Sequence, residues 1–422
     1  MKKLIAVIAA LSLLLCLFAG CGKSTVEYYD EAETAETAEA EAGNAEQPAD
    51  EAAAPADEAA APAADENAVS IGQGGTGFET FPSDMVVATV NGDDVTWMEY
   101  YYWLNYYTQY VISLAGQYGI VISDWNGHDL SETDTNADVI LMNAKMIITE
   151  DHVVRTEAEK LGITFDEADE AEITSLIEQN ADAILGDGDG AATEEEMEAF
   201  RDYLNEGMHL DEEFFRDLVS SSLLSQKLFE SQYGAQGSSF TDEETLTFAE
   251  DNGVMAAKHI LLATIDTTTR EALSDEEIAE KKQRADDLYA ELSALVGDPA
   301  ALEARFDELT AEYTDDTGYA AYPDGYVFGE GEMVQQFEDA VKAMEVGELS
   351  EVVESDYGYH IILRIPVDPD GIIGTDSNGN NVTLRYAAAT QQFSAQLVAL
   401  EDAAEIIWSE GFETPDLAAI FG

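Results

Sequence analysis

Two stretches decide the reading of this chain: Ala256-Ala257-Lys258-His259-Ile260-Leu261-Leu262-Ala263 and Ser355-Asp356-Tyr357-Gly358-Tyr359-His360-Ile361-Ile362. Each is a short aliphatic run of strand length, each carries one histidine, and turn residues stand next to each. Between them the apolar spacing predicts helices over about 274–296 and 299–313 and a short helix over 333–344. A further strand is predicted near Leu349–Val353, before the one at Tyr359–Ile365. Arg364-Ile365-Pro366 ends the unit, because proline cannot donate to a strand ladder. Strand, helices, strand, strand predict a compact α+β domain.

Helical sequence flanks this domain on both sides. Upstream, Met85 to Val90 reads as a strand, and Asn91-Gly92 is a hairpin-type turn. Thr96 and Glu99 then stand in capping-box spacing before a helix. That helix carries Trp97, Tyr100, Tyr101, Tyr102, Trp103, Tyr106, Tyr107 and Tyr110. The aromatic row reads as the core of a large helix; the other reading is a sticky surface for unfolded chains. Further helices are expected at about 137–161, 166–185, 193–206 and 211–232, and another from Thr241 to near Asn252. Asp187-Gly188-Asp189-Gly190 invites a calcium-loop reading. The loop would need an oxygen ligand at 191 and glycine at 192, and both are Ala, so a turn with a helix cap is the better account. Downstream, a loop rich in Gly, Asn and Asp is expected over 368–381, then an amphipathic helix from Thr383 to about Glu410.

The length of 422 residues suggests two or three domains, and 46% hydrophobic residues suffice for a sizeable core. With 18 Lys plus Arg against 88 Asp plus Glu, the net charge is −70. Phosphate backbones would be repelled, so nucleic acid is excluded as a partner. Two cysteines exclude a disulfide scaffold, a zinc ribbon and a cluster built by this chain alone. The five histidines are scattered, and no HExxH, P-loop or GxGxxG motif occurs.

The first residues read as an address. Met1-Lys2-Lys3 is basic, and the apolar run Leu4 to Phe18 is too short to span a membrane comfortably. Ala19-Gly20-Cys21 follows and resembles the lipobox of bacterial lipoproteins, with Phe18 where that motif usually has an aliphatic residue. The resemblance implies a signal peptide over 1–20 and lipidation of Cys21; an ordinary secretory signal is the alternative. From Gly22 to Ala68 Ala, Glu and Asp dominate, Lys23 is the one basic residue, and Pro48, Pro55 and Pro62 recur in a repeat. Like-charge repulsion and the lack of apolar surface predict a disordered acidic tether over 21–80. An acidic binding tail is its alternative reading.

Residues 256–366 resemble the parvulin family of peptidyl-prolyl cis/trans isomerases through five motifs in order. They are Ala257-Lys258-His259-Ile260-Leu261-Leu262, Glu312-Tyr313-Thr314-Asp315-Asp316, and the run Phe328-Gly329-Glu330-Gly331-Glu332-Met333-Val334-Gln335-Gln336-Phe337-Glu338. Gly347-Glu348-Leu349-Ser350 and Ser355 to Ile362 complete the set. The resemblance implies that His259, Asp316 and His360 are catalytic, with the two imidazoles hydrogen-bonded together. It also implies that Met333, Phe337, Ser355 and Tyr357 bind substrate. Met333 and Phe337, four apart on the expected short helix, would share one face and hold a proline ring. Neither cofactor nor metal is implied. The family's usual glycine pair is replaced by Tyr322-Pro323-Asp324-Gly325-Tyr326, and Tyr357 stands where a small residue or Phe is common. No basic cluster follows His259 before Arg270, so a phosphorylated substrate is not expected.

The layout of the whole chain resembles the PrsA-type foldase lipoproteins. Their organisation implies a helical chaperone domain over 81–253, an inserted parvulin-like domain over 254–367, and a helical return over 368–422. It also implies a lipid anchor on the extracytoplasmic face of a bacterial membrane. The partners implied are unfolded or newly secreted polypeptides with X–Pro bonds. Two rivals remain: a non-catalytic chaperone or binding lipoprotein with an inactive parvulin domain, and a solute-binding lipoprotein. The second would call for βαβ units that residues 81–250 do not show.

Overall fold

A computed structural model describes residues 77–421 except 118, 123, 132, 187–191 and 377–378. The signal segment, Cys21, the tether up to residue 76 and the turn at 187–190 lie outside the described residues. In chain order the elements are β1 (Val86–Val90), β2 (Asp93–Thr96), α1 (Trp97–Gln117), α2 (Asn136–Leu161), α3 (Glu167–Leu185), α4 (Glu194–Asp202) and α5 (Glu212–Tyr233). Next come α6 (Asp242–Asp251), β3 (Met255–Ala263), α7 (Asp275–Ser293), α8 (Pro299–Tyr313), β4 (Tyr326–Phe328), α9 (Gln335–Ala343), β5 (Val353–Ser355) and β6 (Gly358–Arg364). The chain ends with β7 (Ile372–Thr375), β8 (Asn381–Thr383), α10 (Leu384–Asp402), β9 (Ile406–Trp408) and α11 (Leu417–Phe421). The helix starts follow local chemistry: Asp166, Thr193, Thr241 and Ser274 each close a capping box with the acidic residue three places on. Among the described residues no helix is long and apolar enough to cross a membrane.

Two units are distinguished by their internal packing. One comprises the described residues up to Thr89, Asp94–Ile148 and those from Ile406 onward. Its core is aromatic: Trp97 and Tyr100 are fully buried, Tyr101, Tyr102, Trp103 and Tyr106 nearly so. The Trp97 ring meets Phe81 and Phe412 at 5.1 and 5.8 Å, and the Tyr100 hydroxyl donates to the Phe412 carbonyl at 3.0 Å. The aromatic row of α1 is therefore mainly core, with Tyr110 at its far end exposed.

The other unit comprises Val90–Asp93 and Thr149–Glu405. It contains a four-stranded sheet in the order β4-β3-β6-β5, antiparallel throughout. Strand alternation gives the sheet two faces. Ile260, Leu262, Tyr359, Ile361 and Leu363 pack against Leu288 and Leu292 of α7 and Phe306 and Leu309 of α8. The opposite face carries Met255, Ala257 and Ile362 under Phe337 and Val341 of α9. A seam of Ala256 and Val327 from the sheet with Ala249 of α6 and Leu384 of α10 continues into the helical part. Beside it Arg385 binds Asp370 and Asp242 at 2.7 and 2.6 Å.

Four local expectations change. The loop expected over 368–381 contains strand β7 and leads into β8, which pairs with it. The last helix stops at Asp402 instead of running to Glu410. Ile406–Trp408 is a strand beside β1, held by the Ser409 N–H on the Val87 carbonyl at 2.9 Å. The strand expected at Leu349–Val353 is an isolated bridge at Leu349, and the ladder itself starts at Val353. Strand β4 lies in a stretch read only as loop. These segments take their structure from distant partners, which local periodicity does not register.

Candidate active site

His259 stands on β3 and His360 on β6. In the ladder Leu261 faces His360 and His259 faces Ile362, so the two histidines are diagonal neighbours on one face of the sheet. Their rings lie nearly parallel with centroids 5.4 Å apart, and Nδ1 meets Nδ1 at 3.1 Å. Phe337 of α9 covers both, with ring centroids 5.2 Å from His259 and 5.7 Å from His360.

Asp316 arrives by a different route. β4 pairs with β3 only as far as Ala257, leaving the next backbone groups of β3 on that edge to be satisfied elsewhere. The chain leaving α8 does so. Thr314 Oγ1 accepts the Leu261 N–H at 3.2 Å, the Asp315 N–H donates to the Leu261 carbonyl at 2.8 Å, and an Asp315 carboxylate oxygen accepts the Ala263 N–H at 2.9 Å. Lys281 pairs with that Asp315. This edge repair sets Asp316 Oδ2 3.0 Å from His259 Nε2. The Tyr326 hydroxyl donates to the same oxygen at 2.6 Å and the Gly318 N–H to Oδ1 at 3.0 Å. A Cβ on Gly318 would press on the Tyr326 hydroxyl, so a larger residue here would have to displace that ring.

The hydrogen bonds have one consistent direction when both imidazoles are neutral. A carboxylate only accepts, so His259 Nε2–H donates to Asp316. His259 Nδ1 is then bare and accepts from His360 Nδ1–H. His360 Nε2 is bare in turn and accepts the Ser355 hydroxyl at 2.7 Å. Ser355 Oγ is itself fixed by the Tyr357 N–H at 3.2 Å. Burial pushes the His360 imidazole down to about 3, and the neighbouring His259 adds to the effect. Burial works to raise the Asp316 carboxyl. The hydrogen bond from His259, with the Tyr326 and Gly318 donors, outweighs it and holds the group below its ordinary value. Removing the last donor leaves a buried acceptor unpaired. Ser355→Ala is accordingly expected to cost about 1–3 kcal/mol, read as a lower melting temperature than wild type at neutral pH.

The remaining expected site residues surround this line. Phe337 is 2% exposed, packed on Phe328 at 5.7 Å. Met333 packs partly buried on the same cluster, but not from the helix: Val334 is extended at ψ 138° and α9 begins at Gln335. The shared-face argument for the pair is thus replaced by a loop that folds back onto the helix. Tyr357 occupies the β5–β6 turn beside Arg270, whose guanidinium carbon is 5.5 Å from its ring centroid. Three residues that hold this arrangement were not among the expected site residues: Thr314, Asp315 and Tyr326. Thr314 and Asp315 act through a strand edge that no sequence pattern marks, and Tyr326 opens a three-residue strand, too short for a period to show.

A family model described as "Rotamase: PPIC-type PPIASE domain" matches residues 259–365. The foldase protein PrsA of Halalkalibacterium halodurans is 28% identical over 259 residues, covering 59% of this chain and 66% of that protein. A second foldase protein PrsA, from Oceanobacillus iheyensis, is 30% identical over 186 residues, with coverage of 40% and 52%. The peptidyl-prolyl cis-trans isomerase Pin1 of Malus domestica is 39% identical over 79 residues, 19% of this chain and 65% of that one. The chain thus spans between 52% and 66% of the length of these relatives. The crystal structure of PrsA from Bacillus subtilis matches 75% of this chain and 93% of its own at 19% identity, and its TM-score of 0.23 is too low to carry an argument. The residues matched by the family model start at His259 and run through Asp316, Phe337 and His360, and the longer matches extend outside them: residues 259–365 are similar to a PpiC-type rotamase domain, and a larger part of the chain is similar to the foldase proteins PrsA.

Proposed function

We propose that this chain isomerises X–Pro bonds in polypeptides delivered outside the cytoplasm. The observation that carries the reading is the continuous line Asp316–His259–His360–Ser355 lying against Phe337. Rotation about an X–Pro bond is opposed by amide resonance, a barrier of roughly 18–20 kcal/mol. No bond is made or broken, so the catalyst needs only to hold the twisted amide better than either planar form. The apolar cluster around Phe337 and Met333 suits a proline ring. The fixed dipoles of the histidine line and the Asp316 carboxylate then act on the turning amide without reorganising. A nucleophilic role for Asp316 has no support, since its oxygens already accept from His259, Tyr326 and Gly318.

The test is the cis/trans rate of an X–Pro peptide with the full chain. Asp316→Ala is expected to lower kcat/KM about tenfold or more, a loss of at least about 1.4 kcal/mol. Asp316→Asn, which keeps an acceptor oxygen, should retain part of the rate. No acceleration by the wild type, with suppression of client aggregation intact, would instead favour the non-catalytic chaperone.

The proposed substrates are secreted or unfolded chains, and the proposed location is the outer face of a bacterial membrane, tethered through Cys21. A single acyl chain binds marginally and two hold firmly, which a diacylglyceryl group on Cys21 would supply. Cys21→Ala should release the protein from the membrane fraction or leave its signal segment uncut. A variant that remains both processed and membrane-bound would exclude the anchor.

A further inference from the structure

Glu338 follows Phe337 on α9 and is only 3% exposed, yet the isomerisation chemistry has no use for it. A carboxylate at that depth is retained only when its oxygens are occupied. Oε2 accepts the Gly331 N–H at 2.8 Å, and Oε1 accepts from Lys342 Nζ, one turn along the helix, at 2.7 Å. Lys342 also reaches Glu330 Oε1 at 2.8 Å. Glu330 and Gly331 are therefore both fastened to α9, one through the lysine and one directly. Gly331 has φ +83°, a left-handed conformation that turns the chain at the point of attachment. Two residues later the same loop delivers Met333 to the cluster around Phe337. The Gly329 N–H meets Glu332 at 2.7 Å within the loop, which shapes it without attaching it to the helix.

We propose that Glu338 is a positioning residue for the proline pocket: it locks the 329–334 loop onto α9 and so sets Met333 against Phe337. The inference rests on the reading of Met333 and Phe337 as that pocket. Attachment of this kind acts on substrate affinity, because the loop brings one wall of the pocket and no reacting group.

The experiment uses the full chain, an X–Pro peptide assayed well below the melting temperature, and a double-mutant cycle. Glu338→Met should lower kcat/KM about tenfold, mainly through KM, and Glu338→Gln, which keeps an acceptor for the Gly331 N–H, should restore most of it. In a Met333→Ala background the same Glu338→Met change should have no further effect. Equal losses in both backgrounds, or an unchanged kcat/KM with only a lowered melting temperature, would overturn the proposal. If Glu338→Met does not fold, Lys342→Met decides: its side chain is partly exposed, and it should reproduce the pattern at about threefold. A normal rate in Met333→Ala overturns the pocket reading and this inference with it. A slow Met333→Ala beside a fully active Glu338→Met overturns this inference alone.

Discussion

Phe337→Ala is expected to cost about 3–5 kcal/mol of folding stability and about a hundredfold or more in kcat/KM on an X–Pro peptide. The stability term follows from burial: the ring is 2% exposed and touches Phe328, His259 and His360. Its removal leaves a cavity beneath the sheet face that α9 covers, and the backbone there can close only partly. The rate term has a separate origin. If the ring forms the base of the proline pocket, its loss removes about 3 kcal/mol of binding to the turning amide, which is roughly a hundredfold. Phe337→Leu keeps much of the volume and should fall between. The two terms are separated by assaying at a temperature where a melting curve shows the variant folded. A folded Phe337→Ala at the wild-type rate would remove Phe337 from the pocket.

The second large effect concerns pH. His360 is held neutral in the fold, down to about 3, by burial and then by His259, while the unfolded chain carries an ordinary histidine near 6.5. Between these values the unfolded state binds a proton that the native state refuses, so the stability contributed by this site is fully present above 6.5. It is lost as pH falls towards 3, by about 1.4 kcal/mol per unit. Asp316, with its carboxyl held below the ordinary range, works in the same direction at lower pH: its stabilisation is present above the unfolded value and lost as pH falls through the folded one. Glu150 opposes both. Burial, then the charges of Glu401 and Asp151, raises it to about 7, so protonation there favours the fold as pH falls. The decisive quantity is therefore the difference in unfolding free energy between wild type and His360→Asn at pH 7, 6, 5 and 4. That difference should move against the wild type as pH falls. A pH-independent difference would mean that His360 titrates normally in the fold.

Much of the candidate site was legible in the linear chain because its chemistry is carried by residues that short motifs can mark. His259 and His360 sit in aliphatic runs, and strand alternation alone puts each on a definite face. Phe337 follows the glycine-bearing segment 328–333. The helices were legible for a similar reason. Their capping boxes, at Thr193, Thr241 and Ser274 for example, are contacts between residues three apart. The reading of α1 as core also followed from local sequence, since an unbroken aromatic row calls for burial somewhere.

What the sequence alone determined, then, was which residue types alternate, cap and cluster within a few positions of one another. It pointed to an α+β domain with two histidine strands and helical sequence around it, while the resemblance of its motifs to the parvulins nominated the candidate residues His259, Asp316, Met333, Phe337, Ser355, Tyr357 and His360. Tertiary structure decided everything that depends on a partner far along the chain. Ile406–Trp408 became a strand because β1 offered an edge. Tyr326 entered the site because β4 pairs with β3, and Asp316 reached His259 because Thr314 and Asp315 satisfy the next backbone groups of β3. Met333 left the helix for a loop that Glu338 and Lys342 hold from below. The physical reason is the same in each case. A hydrogen-bonding edge, or a buried charge in need of partners, can be met by groups from anywhere in the chain, and only the closed fold selects which ones arrive.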